Sequence, residues 1–292
     1  MTLEAPTRCS ALAEELAEPM IGSVDVRRRW LLIEDRGAWG SHAADDVVGA
    51  GFVGAAKARG LRVLLVRRRE GDPAADVTRR AILVDTETRE MAVRTITDPG
   101  SLSLERAVEA PVDEFGDLTT DPIFLVCTNG KRDACCALRG RALVSALGLA
   151  QPERTWECTH LGGHRFAGNL VCLPDGIVYG RVGAEAGPRL ADAYLAGRLD
   201  ALMLRGRSAW PVPAQVAEQA FRLELGIDGI DDVRLVRAHV DDDRALVVLA
   251  TGGGAERPFE LERVTEEPPR PTSCRADEIE APMRWRVLAQ RA

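Results

Sequence analysis

Short apolar blocks alternate with polar, glycine- or proline-bearing breaks along most of the chain. Arg29 to Glu34 (RWLLIE) and Leu61 to Arg67 are apolar enough for buried strands, and Val47 to Arg59 between them reads as a glycine-rich helix. Ala81 to Val84 and Met91 to Ile96 predict two further strands, joined by a polar TETRE turn. Residues 98–122 form a mixed connector containing Pro99, Pro111 and Pro122. The order then repeats. Ile123 to Cys127 (IFLVC) is a buried-type strand, followed by a polar loop, TNGKRDA, and a helix over Cys136 to Leu147 that is expected to stop near Gly148. Thr155 to Cys158 is a strand. After an HLGGH loop, Leu170 to Leu173 and Ile177 to Tyr179 are expected to pair across Pro174-Asp175-Gly176, whose residue types favour a tight turn. Pro188 to Leu199 reads as an amphipathic helix with the proline in its first turn, where a missing N–H does no harm.

Both stretches read strand–loop–helix–strand–strand–strand, which predicts an α/β protein with an internal repeat of one αβ unit. That order suits a thioredoxin-like sheet, in which a functional loop leaves the first strand and opens a helix. The expected organisation is an N-terminal thioredoxin-like half over residues 1–115, a second over 116–205, and a small C-terminal α+β appendage over 206–292. The N-terminal half begins with an acidic helical lead-in over residues 1–24 that turns at Glu18-Pro19. In the appendage, a helix from Pro213 to Leu225 precedes a hairpin of Val233–Val240 and Ala245–Ala250 turning at Asp241 to Asp243. A third strand is expected over Phe259–Val264, followed by a proline-bearing extended tail.

Composition narrows the function classes. The 292 residues are 46% hydrophobic, enough for a sizeable core and too much for general disorder. Acidic residues outnumber basic ones, 45 to 38, for a net charge of −7, which disfavours the clustered positive charge that nucleic-acid binding needs. The longest apolar runs, such as Ala245 to Ala250, fall far short of the roughly 20 residues that span a bilayer. The first residues, MTLEAPTRCSALAEELAEP, lack the apolar core of a signal peptide. A cytoplasmic protein with no nucleic-acid or membrane partner is the expectation.

Seven cysteines in such a compartment point to metal binding, redox chemistry or plain burial rather than to a disulfide scaffold. Cys127, Cys135 and Cys136 cluster in CTNGKRDACC, which starts at the end of an apolar strand and finishes in the first turn of a helix. Thiolates there are favoured by free backbone N–H groups and the helix dipole, with Lys131 and Arg132 adding positive charge. His160 and His164 follow in HLGGH. The glycine pair between them argues against a helix and for a tight loop whose N–H groups turn inward. Two sulfur and two imidazole ligands suit either a [2Fe–2S] cluster or a tetrahedral zinc ion. Cys158 and Cys172 lie in apolar strands and read as core residues. Cys9 and Cys274 lie outside the cluster and read as unreactive; His42 and His239 lack partners. Arg132, Asp133 and Arg165 are candidates for orienting the loops.

Here the sequence resembles the sucrase/ferredoxin-like proteins, relatives of thioredoxin-like [2Fe–2S] ferredoxins. The matching segments are CTNGKRDACC, WECTHLGGHRFAGNLVCLPDGIVYGRV (156–182), RCSALAEELAEPMIGS and RRWLLIEDRGAWG. The resemblance runs from residue 8 to about 200, and HLGGHRFAGN is its most specific part. It implies a cluster held by Cys127, Cys136, His160 and His164, a histidine pair replacing two cysteines, and a register that favours Cys136 over Cys135. Many members carry histidine where this chain has Asn129, so that position is not a required ligand. The implied role is one-electron transfer to an unidentified redox partner protein, an electron carrier rather than an enzyme with its own substrate. Neutral imidazole ligands should raise the potential above that of plant-type ferredoxins and make it pH-dependent at alkaline pH.

Two other readings compete. A zinc-stabilised binding module would use the same four residues. An NADP-dependent oxidoreductase would use Gly49-Ala-Gly51-Phe-Val-Gly54, a literal GxGxxG followed by a strand ending in Arg67-Arg68-Arg69-Glu70. The strand needed before the first glycine is poor, so these glycines are expected in a helix packed closely on the sheet. Gly252 to Gly254 lacks the lysine and hydroxyl residue of a P-loop and reads as a turn.

Overall fold

A computed structural model describes residues 8–68, 78–275 and 279–288. The expected lead-in is described from Arg8 onward, and Arg69 and Glu70 lie outside the described residues. In the first stretch the strands are β1 (Arg29–Glu34), β2 (Leu61–Arg67), β3 (Arg79–Asp85), β4 (Glu90–Ile96) and a short β5 (Asp117–Thr119). β1 runs parallel to β2 and antiparallel to β3, which pairs antiparallel with β4. The second stretch supplies β6 (Ile123–Cys127), β7 (Thr155–Cys158), β8 (Leu170–Leu173) and β9 (Ile177–Tyr179). The same order and senses recur: β6 is parallel to β7 and antiparallel to β8, and β8 is antiparallel to β9. The units join where β2 runs antiparallel to β7, with Val66 opposite Cys158. β10 (Leu204–Arg207) extends the edge beyond β9, and ten strands form one mixed sheet ordered β10-β9-β8-β6-β7-β2-β1-β3-β4-β5.

Helices cover the sheet, which is why its central strands are continuous apolar runs. They are α1 (Cys9–Glu15), α2 (Ala43–Val48), α3 (Ala50–Ala58), α4 (Leu104–Glu109), α5 (Ala134–Ala150), α6 (Ala186–Leu195) and α7 (Val212–Leu225). Successive strand residues face opposite sides. Trp30 and Leu32 join Val66, Leu125, Cys127, Trp156 and Val171 in a core that spans both units. Leu31 and Ile33 pack under Ala56 of α3, while Phe124 and Val126 pack under Leu143 and Leu147 of α5. The mixed α/β class is as the pattern predicts.

Several boundaries differ from expectation. The helix expected over Val47–Arg59 begins earlier and is broken at Gly49, whose φ of +89° ends α2 before α3 starts. α5 runs through Gly148 to Ala150, and its end falls just before Pro152, which disfavours helical backbone at the residue before it. The connector over 98–122 contains α4, capped by the Ser103 hydroxyl accepting from the Arg106 N–H, and β5. The helix expected over Pro188–Leu199 spans Ala186–Leu195 instead.

Beyond β10, α7 packs on an antiparallel sheet of β11 (Val233–Val240), β12 (Arg244–Thr251), β13 (Glu256–Thr265) and β14 (Met283–Val287). The hairpin and third strand are those expected, and β14 is additional. Phe221 meets Phe259 edge-on at 5.4 Å. The fully buried Glu218 of α7 accepts from Arg207 and Arg222, each at 2.9 Å, fastening α7 to β10.

Candidate metal centre

The strand-to-helix junction positions the first two thiols. β6 ends on Cys127, the loop over residues 128–133 turns back, and α5 opens at Ala134. Asp133 caps the helix, its carboxylate accepting the Cys135 N–H at 2.9 Å. Adjacent helical residues point about 100° apart. Cys136 accordingly turns towards Cys127 and Cys135 turns away from it, which separates the two members of the vicinal pair. Both are buried, at 1% and 0% exposure.

The histidines arrive on the loop after β7. Gly162 and Gly163 both hold positive φ, +86° and +66°, a backbone that glycine adopts without strain. The buried Arg205 of β10 holds this loop. It donates to the Gly162 carbonyl at 3.3 Å, to Asn169 Oδ1 at 2.7 Å, and to the Ser23 hydroxyl and carbonyl at 3.0 and 2.8 Å. Asn169 in turn donates to the Gly163 carbonyl at 3.1 Å, and Arg62 donates to the His160 carbonyl at 2.5 Å.

The result brings the four candidates close together. Donor atoms of Cys127, Cys136 and His160 all lie within 4.8 Å of one another, and Cys136, His164 and Asp133 form a second such group. His164 Nδ1 is 3.8 Å from Cys136 Sγ and 3.9 Å from Asp133 Oδ2. The two imidazoles stack with centroids 4.1 Å apart and planes 11° from parallel. Asn129 is not among them; its amide donates to the Gly40 carbonyl at 3.0 Å.

The environment favours ligand-ready forms. The hydrogen bond from Cys136 pulls the Cys127 thiol well below its ordinary value despite opposing burial, with His160 and the Leu161 N–H helping; the donor Cys136 is pushed up in turn. Burial, then repulsion from His160, lowers His164 to about 4, with Asp133 opposing. Its imidazole is therefore neutral near pH 7, the form that binds metals. The sulfurs are shielded, while His160 borders an open cleft of about 330 Å³ lined also by Asp25, Arg62, Asn129 and Arg132.

Cys158 and Cys172 are buried strand residues, as predicted. Cys9 and Cys274, expected to lie apart as unreactive residues, instead meet at Cys135, each making a sulfur–sulfur contact with it. Of the candidate orienting residues, Asp133 caps α5, and Arg165 pairs with the buried Glu18 at 2.7 Å. Arg205 and Arg62 escaped the sequence reading because nothing in LRGR or LRVLL distinguishes a loop-pinning arginine from a solvated one. The GxGxxG fingerprint lacks its context. Residues 43–48 before it are helical, and Gly51 and Gly54 sit inside α3 with no neighbour within 4 Å of where a Cβ would stand. The expected close packing of these glycines on the sheet is therefore not found. No helix among the described residues is long and apolar enough to cross a membrane.

The architecture is thus that of an α/β protein in which cysteines and histidines from two loops gather into groups that could hold a metal ion. The profile of the sucrase/ferredoxin-like family matches residues 20–206, and the chain belongs to that family. A curated protein described as altered inheritance of mitochondria protein 32, from Meyerozyma guilliermondii, is 34% identical over 76 residues, covering 23% of this chain and 27% of that protein. The chain therefore matches little more than a quarter of that relative's length. No solved structure matches.

Proposed function

We propose that this protein is an iron–sulfur electron carrier in which Cys127, Cys136, His160 and His164 hold a [2Fe–2S] cluster. The observation that carries the reading is the convergence of two buried thiols and an imidazole within 4.8 Å, with a second imidazole stacked alongside. The donor set fits: thiolate and imidazole both bind iron, and substituting neutral imidazoles for thiolates leaves such a site less negative. A bound cluster would supply reversible one-electron chemistry. The chain's own contribution is positional and electrostatic. Burial keeps water from the sulfurs, the Leu161 N–H hydrogen-bonds to Cys127, and Arg205 fixes the histidine loop while adding positive charge. The cleft beside His160 is the side from which a redox partner protein would approach.

In this reading residues 1–115 and 116–205 are two thioredoxin-like halves, only the second carrying ligands, and 206–292 is an appendage. Seven free thiols suit a reducing compartment such as the cytoplasm.

The test is anaerobic purification with iron, acid-labile sulfide and zinc analysis, with visible absorbance and a reduced-state EPR signal. Two irons and two sulfides per chain, lost in His160→Ala and Cys136→Ala, are expected. A colourless protein carrying zinc on these residues would sink the reading and favour a zinc-stabilised module.

A further inference from the structure

A second sulfur cluster lies on the far side of the vicinal pair. Cys9 of α1, Cys135 of α5 and Cys274 of the C-terminal tail bring their Sγ atoms to 3.6, 3.2 and 3.4 Å of one another. These residues are 126 to 265 positions apart in sequence, and Cys9 and Cys274 fall outside the family-matched segment 20–206. Asp133 completes the group: all four donor atoms lie within 4.8 Å of one another. Its carboxylate is fully buried and accepts the N–H groups of both Cys135 and Cys274, at 2.9 and 3.0 Å. The Ser10 hydroxyl donates to Cys135 Sγ at 3.2 Å.

We propose that Cys9, Cys135 and Cys274, with Asp133 as the fourth donor, form a tetrahedral site for a zinc-class ion, separate from the Cys127 centre. The spacing decides between the chemistries open to three thiols. A disulfide needs about 2.05 Å between two sulfurs and leaves the third without a partner. Here no pair is singled out; all three separations fall within 3.2–3.6 Å. Thiolates bound to one zinc at about 2.3 Å stand about 3.7 Å apart along a tetrahedral edge, close to what is observed. Ligands on different irons of a cluster would stand further apart. Each thiol binds as thiolate, giving its proton to solvent.

The surroundings are built to hold these segments together. Glu14 of α1 pairs with Arg139 of α5, and the buried Glu18 accepts from Arg270 of the tail at 3.0 Å. The ion would clasp α1 and the tail segment bearing Cys274 onto the helix that carries Cys136. Cys274 is exposed, so the ion enters from solvent on the tail side. The vicinal cysteines thereby acquire separate duties: Cys136 faces the proposed electron-transfer centre, and Cys135 faces this one.

The experiment is metal analysis of the full chain produced with both iron and zinc, compared with Cys9→Ser, Cys274→Ser and Cys127→Ala. About one zinc per chain is expected, falling at least fivefold in the first two variants with iron, sulfide and visible spectrum unchanged. Cys127→Ala should lose iron and keep zinc. Zinc lost in Cys127→Ala would place the ion at the Cys127 centre and overturn this proposal, whereas a protein without iron whose zinc is lost only in Cys9→Ser and Cys274→Ser would sink the electron-carrier reading while this site stands. Should the serine variants fail to fold, alkylation of Cys274 by N-ethylmaleimide in the unsubstituted protein decides. Zinc should slow it at least tenfold relative to chelator-treated protein. Absence of zinc from the unsubstituted protein after zinc reconstitution, retention of zinc in both serine variants, equal alkylation with and without zinc, or recovery of two of these cysteines as a disulfide would each overturn the proposal.

Discussion

Gly140 of α5 lies against the backbone of Cys127: a methyl group on Gly140 would stand 2.1 Å from the Cys127 carbonyl oxygen. That contact sets how closely the helix bearing Cys136 approaches the strand bearing Cys127. Gly148, on the same helix, has no neighbour within 4 Å of the corresponding position. Gly140→Ala must therefore push α5 off β6, costing about 1–3 kcal/mol against a helix-propensity gain of up to about 1 kcal/mol. Gly148→Ala should simply stabilise, by up to about 1 kcal/mol. Urea midpoints should move in opposite directions for the two variants, and bound iron should fall only in Gly140→Ala. Equal effects would mean that the approach of α5 to Cys127 is not limiting.

Arg205 and Gly163 form a second interlock, since a Cβ on Gly163 would meet the Arg205 guanidinium at 2.2 Å. The partners of Arg205 are hydroxyl, amide and carbonyl oxygens. Burial, then Arg165, lowers its pKa to about 10, opposed first by Asp25 and then by Cys136 and Cys127. Arg205→Met should destabilise by about 2–4 kcal/mol through orphaned acceptors and lower the midpoint potential, because reduction adds negative charge to the centre. Arg205→Lys keeps the charge but not the planar fork. It should restore potential more than stability, read by redox titration beside thermal melting. A potential unchanged in Arg205→Met would remove the electrostatic role.

Much of this was legible in the residues. The runs RWLLIE, IFLVC and LVCL announced buried strands because both sheet faces are covered, and the turn residues Pro174 to Gly176 fixed the β8–β9 hairpin. CTNGKRDACC and HLGGH pointed at a metal site because sulfur and imidazole at a strand end and in a glycine loop have few other reasons to coincide. What stayed hidden depends on tertiary placement. Nothing local in RCSAL or TSCRA tells that Cys9 and Cys274 meet Cys135, since their separation is bridged only by the packing of α1 and the tail. β5 and β10 escaped because edge strands as short as DLT and LRGR carry too few residues for a period to show. The Ser103 cap and the LERAVE pattern of α4 were readable signals, masked by the prolines on either side.

Glu18 joins the segment after α1 to the tail segment between β13 and β14. It accepts from Arg165 at 2.7 Å and from Arg270 at 3.0 Å, with Glu18 and Arg270 nearly inaccessible. Glu18→Gln leaves two guanidinium groups facing a neutral amide, a change expected to cost about 2–4 kcal/mol. The tail should loosen first, because Arg270 otherwise relies on the Glu266 and Pro268 carbonyls. Limited proteolysis should then cut between residues 266 and 275 well before the sheet unfolds. Cutting elsewhere, or at the original rate, would show that the tail is held by other contacts.

His164 gives the chelator-treated protein a defined acid sensitivity. Its pKa is lowered to about 4 by burial and by His160, whereas an unfolded histidine titrates near 6.5. Between these values the unfolded chain binds a proton that the folded one refuses, so stability falls as pH drops through the window and levels off below it. The loss amounts to about 3 kcal/mol at most. His164→Gln should flatten the stability profile between pH 6.5 and 4 while leaving the carboxylate-driven loss at lower pH in place. Urea denaturation at half-unit pH intervals measures it, and an unaltered slope in that window would place the acid sensitivity on other groups.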